Sequence, residues 1–142
     1  MGARRLGRER ALQALYQLEQ DPKLTATQAL ESSWAASSDE EEPRDGEAQA
    51  FALELTHGVQ QHRNEIDALL AQHSHNWRLD RMQRIDRNVL RIGVYELMHL
   101  PEIPKRVTIN EAVELGKSFG NEDSSAFING LLDRIAIAVN KS

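Results

Sequence analysis

Apolar residues recur along this chain at three- and four-residue spacing, and the intervals between those runs mark where helices stop. Residues 4–19 place Ala11, Leu12, Leu15 and Leu18 on one face of a helix. Asp21-Pro22 closes it, because the residue before a proline is pushed out of the helical region. Thr25 and Gln28 have capping-box spacing and predict a second helix to about Ala36, with Trp34 turned inward. Residues 47–73 carry Phe51, Leu55, Val59, Ile66, Leu69 and Leu70 at helical spacing, as one long helix or two in line, with Gly58 as a bend or a close-packing point. Residues 81–99 have the widest apolar coverage, with Met82, Ile85, Val89 and Ile92 on one side and Leu90, Val94, Leu97 and Met98 on the next. Such a helix is expected at the centre, with Arg84, Arg87, Asn88 and Arg91 along its polar edge and Asp86 nearby.

The run from Val107 to Asp133 predicts a helical hairpin. Thr108 and Glu111 have capping-box spacing, and Ile109, Ala112, Val113, Gly116 and Phe119 form the stripe behind them. Gly120 is expected to end that helix in the left-handed conformation. Asp123 or Ser124 then caps a helix carrying Ile128, Leu131, Leu132, Ile135 and Val139. Phe127 lies about 100° from Ile128, on the flank of that stripe and beside Arg134. It is either a boundary aromatic or a ring on which an unpaired base can stack.

Composition supports an all-α chain. Hydrophobic residues are 40% of the total but aromatics only 5%, so the core is built from Leu, Ile, Val and Ala without strand-like runs. The 142 residues fit one domain, residues 1–142, able to bury a core without disulfides, and the lack of cysteine fits a reducing cytoplasm. No apolar run approaches the roughly 18 residues of a membrane span, and no signal-peptide core follows the N-terminal arginines.

The net charge of −5 argues against nucleic acid until its distribution is considered. Residues 1–10 hold Arg4, Arg5, Arg8 and Arg10 against Glu9, whereas residues 39–47 hold six acids against Arg44. Arg4, Arg5 and Arg8 share the angular sector of Leu12 and Leu15, so the core stripe runs on into arginine, while Leu6 and Arg10 fall on the far side. Burying an unpaired arginine is costly, so the first turns are expected to project beyond the body, with Gly7 weakening that end. The acidic stretch from Ser37 to Gly46 reads as a solvated connector.

Catalytic signatures are missing. Gly116-Lys117-Ser118 copies the end of a phosphate-binding loop, but Glu111 stands where that motif needs glycine, and the residues lie within a helix. Of the histidines between residues 57 and 75, His57 and His62 are five apart and His73 and His75 two apart, so no pair is set for shared metal ligation and no metal is expected. Neither an enzyme nor a cofactor is implied.

Three segments occur together and in order: ARRLGRERALQALYQLE, NVLRIGVYEL and IPKRVTINEAVELGKSFGNEDSSAFINGLLDRI. In them the chain resembles the NusB family of bacterial transcription antitermination factors, over nearly its whole length and least between Lys23 and Gln49. The resemblance implies an all-α fold, two small helical bundles packed together as a single RNA-binding domain. It implies binding of boxA RNA together with NusE, a small-subunit ribosomal protein, within an antitermination complex on RNA polymerase, notably in ribosomal RNA operons. Arg4, Arg5 and Arg8 match the family's RNA-contacting arginine cluster, from which Leu6 departs where some members have another arginine. Asp123 and Phe127 match positions bordering the RNA, with Lys117 within reach; Tyr16 and Asp86 match positions linked to the NusE surface or pack in the core. The alternative is a helical protein-interaction module or homodimer without RNA affinity. A methyltransferase would need a further α/β domain after this module.

Overall fold

A computed structural model describes residues 2–36, 46–74 and 81–142, and the described residues form seven helices. The chain divides into two compact units near the end of the third helix.

The first unit contains α1 (Ala3–Gln20), α2 (Ala26–Ala36) and α3 (Gly46–Gln61). The Thr25 box forms as its spacing predicts: Gln28 N–H donates to Thr25 Oγ1 at 3.1 Å, and Thr25 N–H donates to Gln28 Oε1 at 2.9 Å. Ala11, Leu12, Leu15 and Leu18 are buried with Trp34, Phe51, Leu55 and Val59. The start of α1 does not project. Gly7 is buried, and a Cβ there would lie 3.1 Å from the Ala48 carbonyl oxygen and 3.1 Å from Phe51 Cδ2. This glycine is the point at which α3 reaches α1, so it anchors the end it was expected to loosen.

The second unit contains α4 (Arg63–His73), α5 (Arg84–His99), α6 (Lys105–Phe119) and α7 (Ser124–Ala138). The break in the 47–73 run falls at His62, whereas Gly58 stays inside α3. Helix α5 is central as expected, packing against α4, α6 and α7, although it begins at Arg84 and leaves the buried Met82 before it. Its polar edge is partly interior. Asn88, Arg91 and Glu96 are all buried, and Arg91 is held by a fork of two hydrogen bonds, Nε to Asp67 Oδ1 at 2.8 Å and Nη2 to Asp67 Oδ2 at 3.0 Å.

The hairpin forms with different ends from those expected. Pro104 precedes the first turn of α6, so Thr108 lies within the helix, where its hydroxyl donates to the buried Glu96 Oε1 at 2.9 Å. The capping-box spacing at Thr108 is therefore coincidental, and the hydroxyl serves a neighbouring helix. Gly120 ends α6 with φ −95° and not in the left-handed region. Its missing side chain has a steric reason: a Cβ would collide with Ser124 Oγ and lie 2.8 Å from the Gly116 carbonyl oxygen. Ile109, Ala112 and Gly116 face inward with Leu115, whereas Phe119 is exposed and Val113 half-buried. On α7 Ile128, Leu131, Leu132 and Ile135 are buried, and Val139 follows the helix as its C-cap. The chain after α7 returns to the start of α6, where Lys105 N–H donates to the Ser142 carbonyl at 3.0 Å. The acidic stretch 37–45 and His75 lie outside the described residues.

Candidate nucleic-acid interface

Helix α1 presents the basic cluster of the first unit in its first two turns. Arg4 and Arg5 are exposed, but Arg8 is only 3% exposed. The guanidinium carbons of Arg4 and Arg8 lie 5.0 and 5.3 Å from the centroid of the Phe51 ring, within cation–π range of one aromatic face. The core stripe thus runs on into arginine with an aromatic ring beneath the guanidinium groups of Arg4 and Arg8. Gly7 makes the arrangement possible by letting Phe51 come close to α1. The basic cluster thus stands on a packed helix with two of its three guanidinium groups directed at one ring. Further along α1, Arg10 lies over the Trp34 ring at 5.2 Å and donates to Gln13 Oε1 at 3.0 Å.

The second unit brings Lys117, Asp123 and Phe127 to the connection between α6 and α7. Lys117 is in the last turn of α6, where a cation favours the negative end of the helix dipole, and its ammonium lies 3.4 Å from Glu114 Oε1. Both members of that pair are largely exposed, so the lysine remains accessible to solvent. Asp123 occupies the N-cap position of α7 without making a side-chain cap hydrogen bond. Asn121 organises the turn in its place: its Oδ1 accepts from Asp123 N–H at 3.0 Å and from the Ser124 hydroxyl at 3.2 Å, while Ser124 Oγ accepts from Asn121 N–H at 3.0 Å. The Asp123 carboxylate is exposed, a negative charge at the connection between α6 and α7. Phe127, in the first turn of α7, is half-buried on the flank of the helix stripe, as its angle predicts.

The two positions linked to a protein partner differ. Tyr16 is exposed on α1, whereas Asp86 is buried in the first turn of α5 with Oδ1 lacking a hydrogen-bond partner among the described residues. Sequence reasoning missed the aromatic base under the arginines, because Phe51 reads as ordinary core until α3 is laid against α1.

Comparison with known proteins gives a consistent result. Residues 5–137 match the model of the NusB family. The chain is 67% identical over 141 residues to the transcription antitermination protein NusB of Myxococcus xanthus, covering 99% of each sequence. Among solved structures it resembles T. maritima NusB, with TM-score 0.82, 37% identity and coverage of 96% of this chain and 92% of that one. It also resembles a chain of the crystal structure of antitermination factors NusB and NusE in complex with dsRNA, with TM-score 0.84, 26% identity and coverage of 97% and 98%.

Proposed function

The chain belongs to the NusB family, and from that premise we propose that it is an RNA-binding transcription antitermination factor that holds boxA RNA jointly with NusE. The observation that carries this reading is the likeness, over 97% of the chain, to a chain of the NusB–NusE–dsRNA complex. In this reading the protein works by binding and not by catalysis, in the cytoplasm beside RNA polymerase, and suppresses termination on ribosomal RNA operons.

The residues divide the work by their chemistry. Arg4 and Arg5 present guanidinium forks to phosphates, and each neutralised phosphate releases counterions. Arg8, held over Phe51, positions the first turns of α1. Lys117 adds a second cationic contact, and Phe127 offers the edge or face of a ring to an unstacked base. Asp123, freed from capping by Asn121, repels phosphate and so disfavours sequences whose backbone runs close to it. Tyr16 offers its exposed ring to NusE, while Asp86 is enclosed in the first turn of α5.

A salt-series titration tests the proposal, using boxA RNA and a scrambled RNA, each with and without NusE. The expected result is tighter binding of boxA, strengthened by NusE. Equal binding of the two RNAs with no effect of NusE would overturn it.

A further inference from the structure

The second unit also gathers a set of nitrogen and oxygen donors that no single helix carries. His62 stands at the N-cap of α4, Glu65 in the first turn of that helix and His99 in the last turn of α5. Glu65 reaches both rings, with Oε2 3.6 Å from His62 Nδ1 and Oε1 3.3 Å from His99 Nε2. The imidazoles stack with centroids 4.0 Å apart, and the Tyr95 ring closes one side at 5.3 Å from His99. All three donor atoms lie within 4.8 Å of one another.

These separations are within small side-chain movements of the edges of a coordination polyhedron. A tetrahedral zinc with ligands at about 2.0–2.1 Å places neighbouring donors about 3.3–3.4 Å apart. The contact of Glu65 Oε1 with His99 Nε2 already equals that edge, whereas His62 meets the other carboxylate oxygen at 3.6 Å and moves nearer on ligation. Moreover, His99 Nε2 is buried and makes no hydrogen bond, since its approach to Glu65 lacks hydrogen-bond geometry. A buried ring nitrogen without a partner is costly, and a cation at the common point would satisfy it. The side chains of His62, Glu65 and His99 are 31%, 45% and 29% exposed, which leaves an entry path for a hydrated ion.

The geometry points to a binding site for a zinc-class divalent cation with His62, Glu65 and His99 as its three protein ligands. Two imidazoles and one carboxylate suit this borderline-soft class, and three ligands leave a fourth position for water. The rings part from their stack as the ion enters, because stacked imidazoles direct their lone pairs side by side and ligation needs them to converge. The bound ion ties the start of α4 to the end of α5. Spacing along the chain hid this site, since His99 is remote in sequence from the other two ligands.

Calorimetric titration of zinc chloride into the untagged full chain, freed of metal by chelation, tests the inference. One saturable site per chain is expected, with a thermal midpoint raised by several degrees in excess zinc. Glu65→Gln and His99→Gln each lower the affinity at least tenfold, and His62→Gln does the same should His99→Gln fail to fold by circular dichroism. His57→Gln, outside the cluster, leaves binding unchanged. No saturable binding by the wild-type chain, or unchanged affinity in folded Glu65→Gln and His62→Gln, would overturn it.

Discussion

Replacing Arg4 and Arg5 together by alanine tests how many guanidinium groups of α1 neutralise phosphate. Three arginines occupy the cluster, but they differ in exposure: Arg4 and Arg5 are exposed, Arg4 also lying over Phe51, while Arg8 over the same ring is only 3% exposed. Each phosphate contact on a single strand contributes about 0.7 to the slope of log affinity against log salt, so the double variant should be shallower by about 1.4. Between about 50 and 200 mM salt the wild type would then lose roughly sevenfold more affinity than the variant. Arg8→Ala should leave the slope almost unchanged and reduce stability by about 1–2 kcal/mol, as a desolvated cation–π contact is removed. Fluorescence anisotropy with labelled boxA RNA across a salt series reads the slopes, and urea unfolding reads the stability. The reasoning fails if Arg8→Ala lowers the slope by as much as either exposed arginine while its stability is unchanged.

Other variants probe the second unit. Thr108→Val removes the hydroxyl that donates to Glu96, which is 1% exposed, and should cost about 2 kcal/mol in urea unfolding; a loss below about 0.5 kcal/mol would show the hydroxyl to be dispensable. Gly93→Ala places a Cβ 2.8 Å from Leu132 Cδ1 and should destabilise by about 1–2 kcal/mol after the gain in helix propensity. Gly130→Ala meets only the Arg134 guanidinium at 3.6 Å and should stabilise by about 0.5–1 kcal/mol, so equal effects of the two glycine changes in one unfolding series would contradict the packing described. Phe127→Ala should weaken boxA binding by about 1–3 kcal/mol with helicity retained, and unchanged affinity would exclude base stacking at this ring.

Helical periodicity located the helical runs of the described residues while leaving 47–73 as one helix or two, and the Thr25 box was legible because both of its partners are local in sequence. Boundaries failed where a distant residue decided the outcome. Thr108 has the residue type and spacing of a cap, yet Glu96 of another helix claims its hydroxyl. Gly120 looks like a left-handed stop, but the room it leaves for Ser124 matters more. Gly7 looks like a weakness in isolation and becomes an anchor once α3 is laid against it. The arginine cluster was visible as a charge pattern, and its family match supplied the expected chemistry. That Arg4 and Arg8 share one ring, and that Arg8 is enclosed there while Arg4 stays exposed, needed Phe51, more than forty residues away. Similarly, the His62, Glu65 and His99 set arises only when α4 and α5 pack side by side.

Helix α5 is buried over so much of its surface that its aliphatic contacts alone would tolerate several registers. Sliding it by one turn, about 5.4 Å, would still set oil against oil. Yet Arg91 would part from Asp67 of α4, Glu96 would lose Thr108 of α6, and Val89 or Leu97 would arrive where Gly93 admits Leu132 of α7. Each of the three neighbouring helices therefore reads a different position on α5, and a slip that suits one neighbour is rejected by the other two. The central helix of the second unit is in this way held in one alignment by an arginine, a glutamate and a glycine.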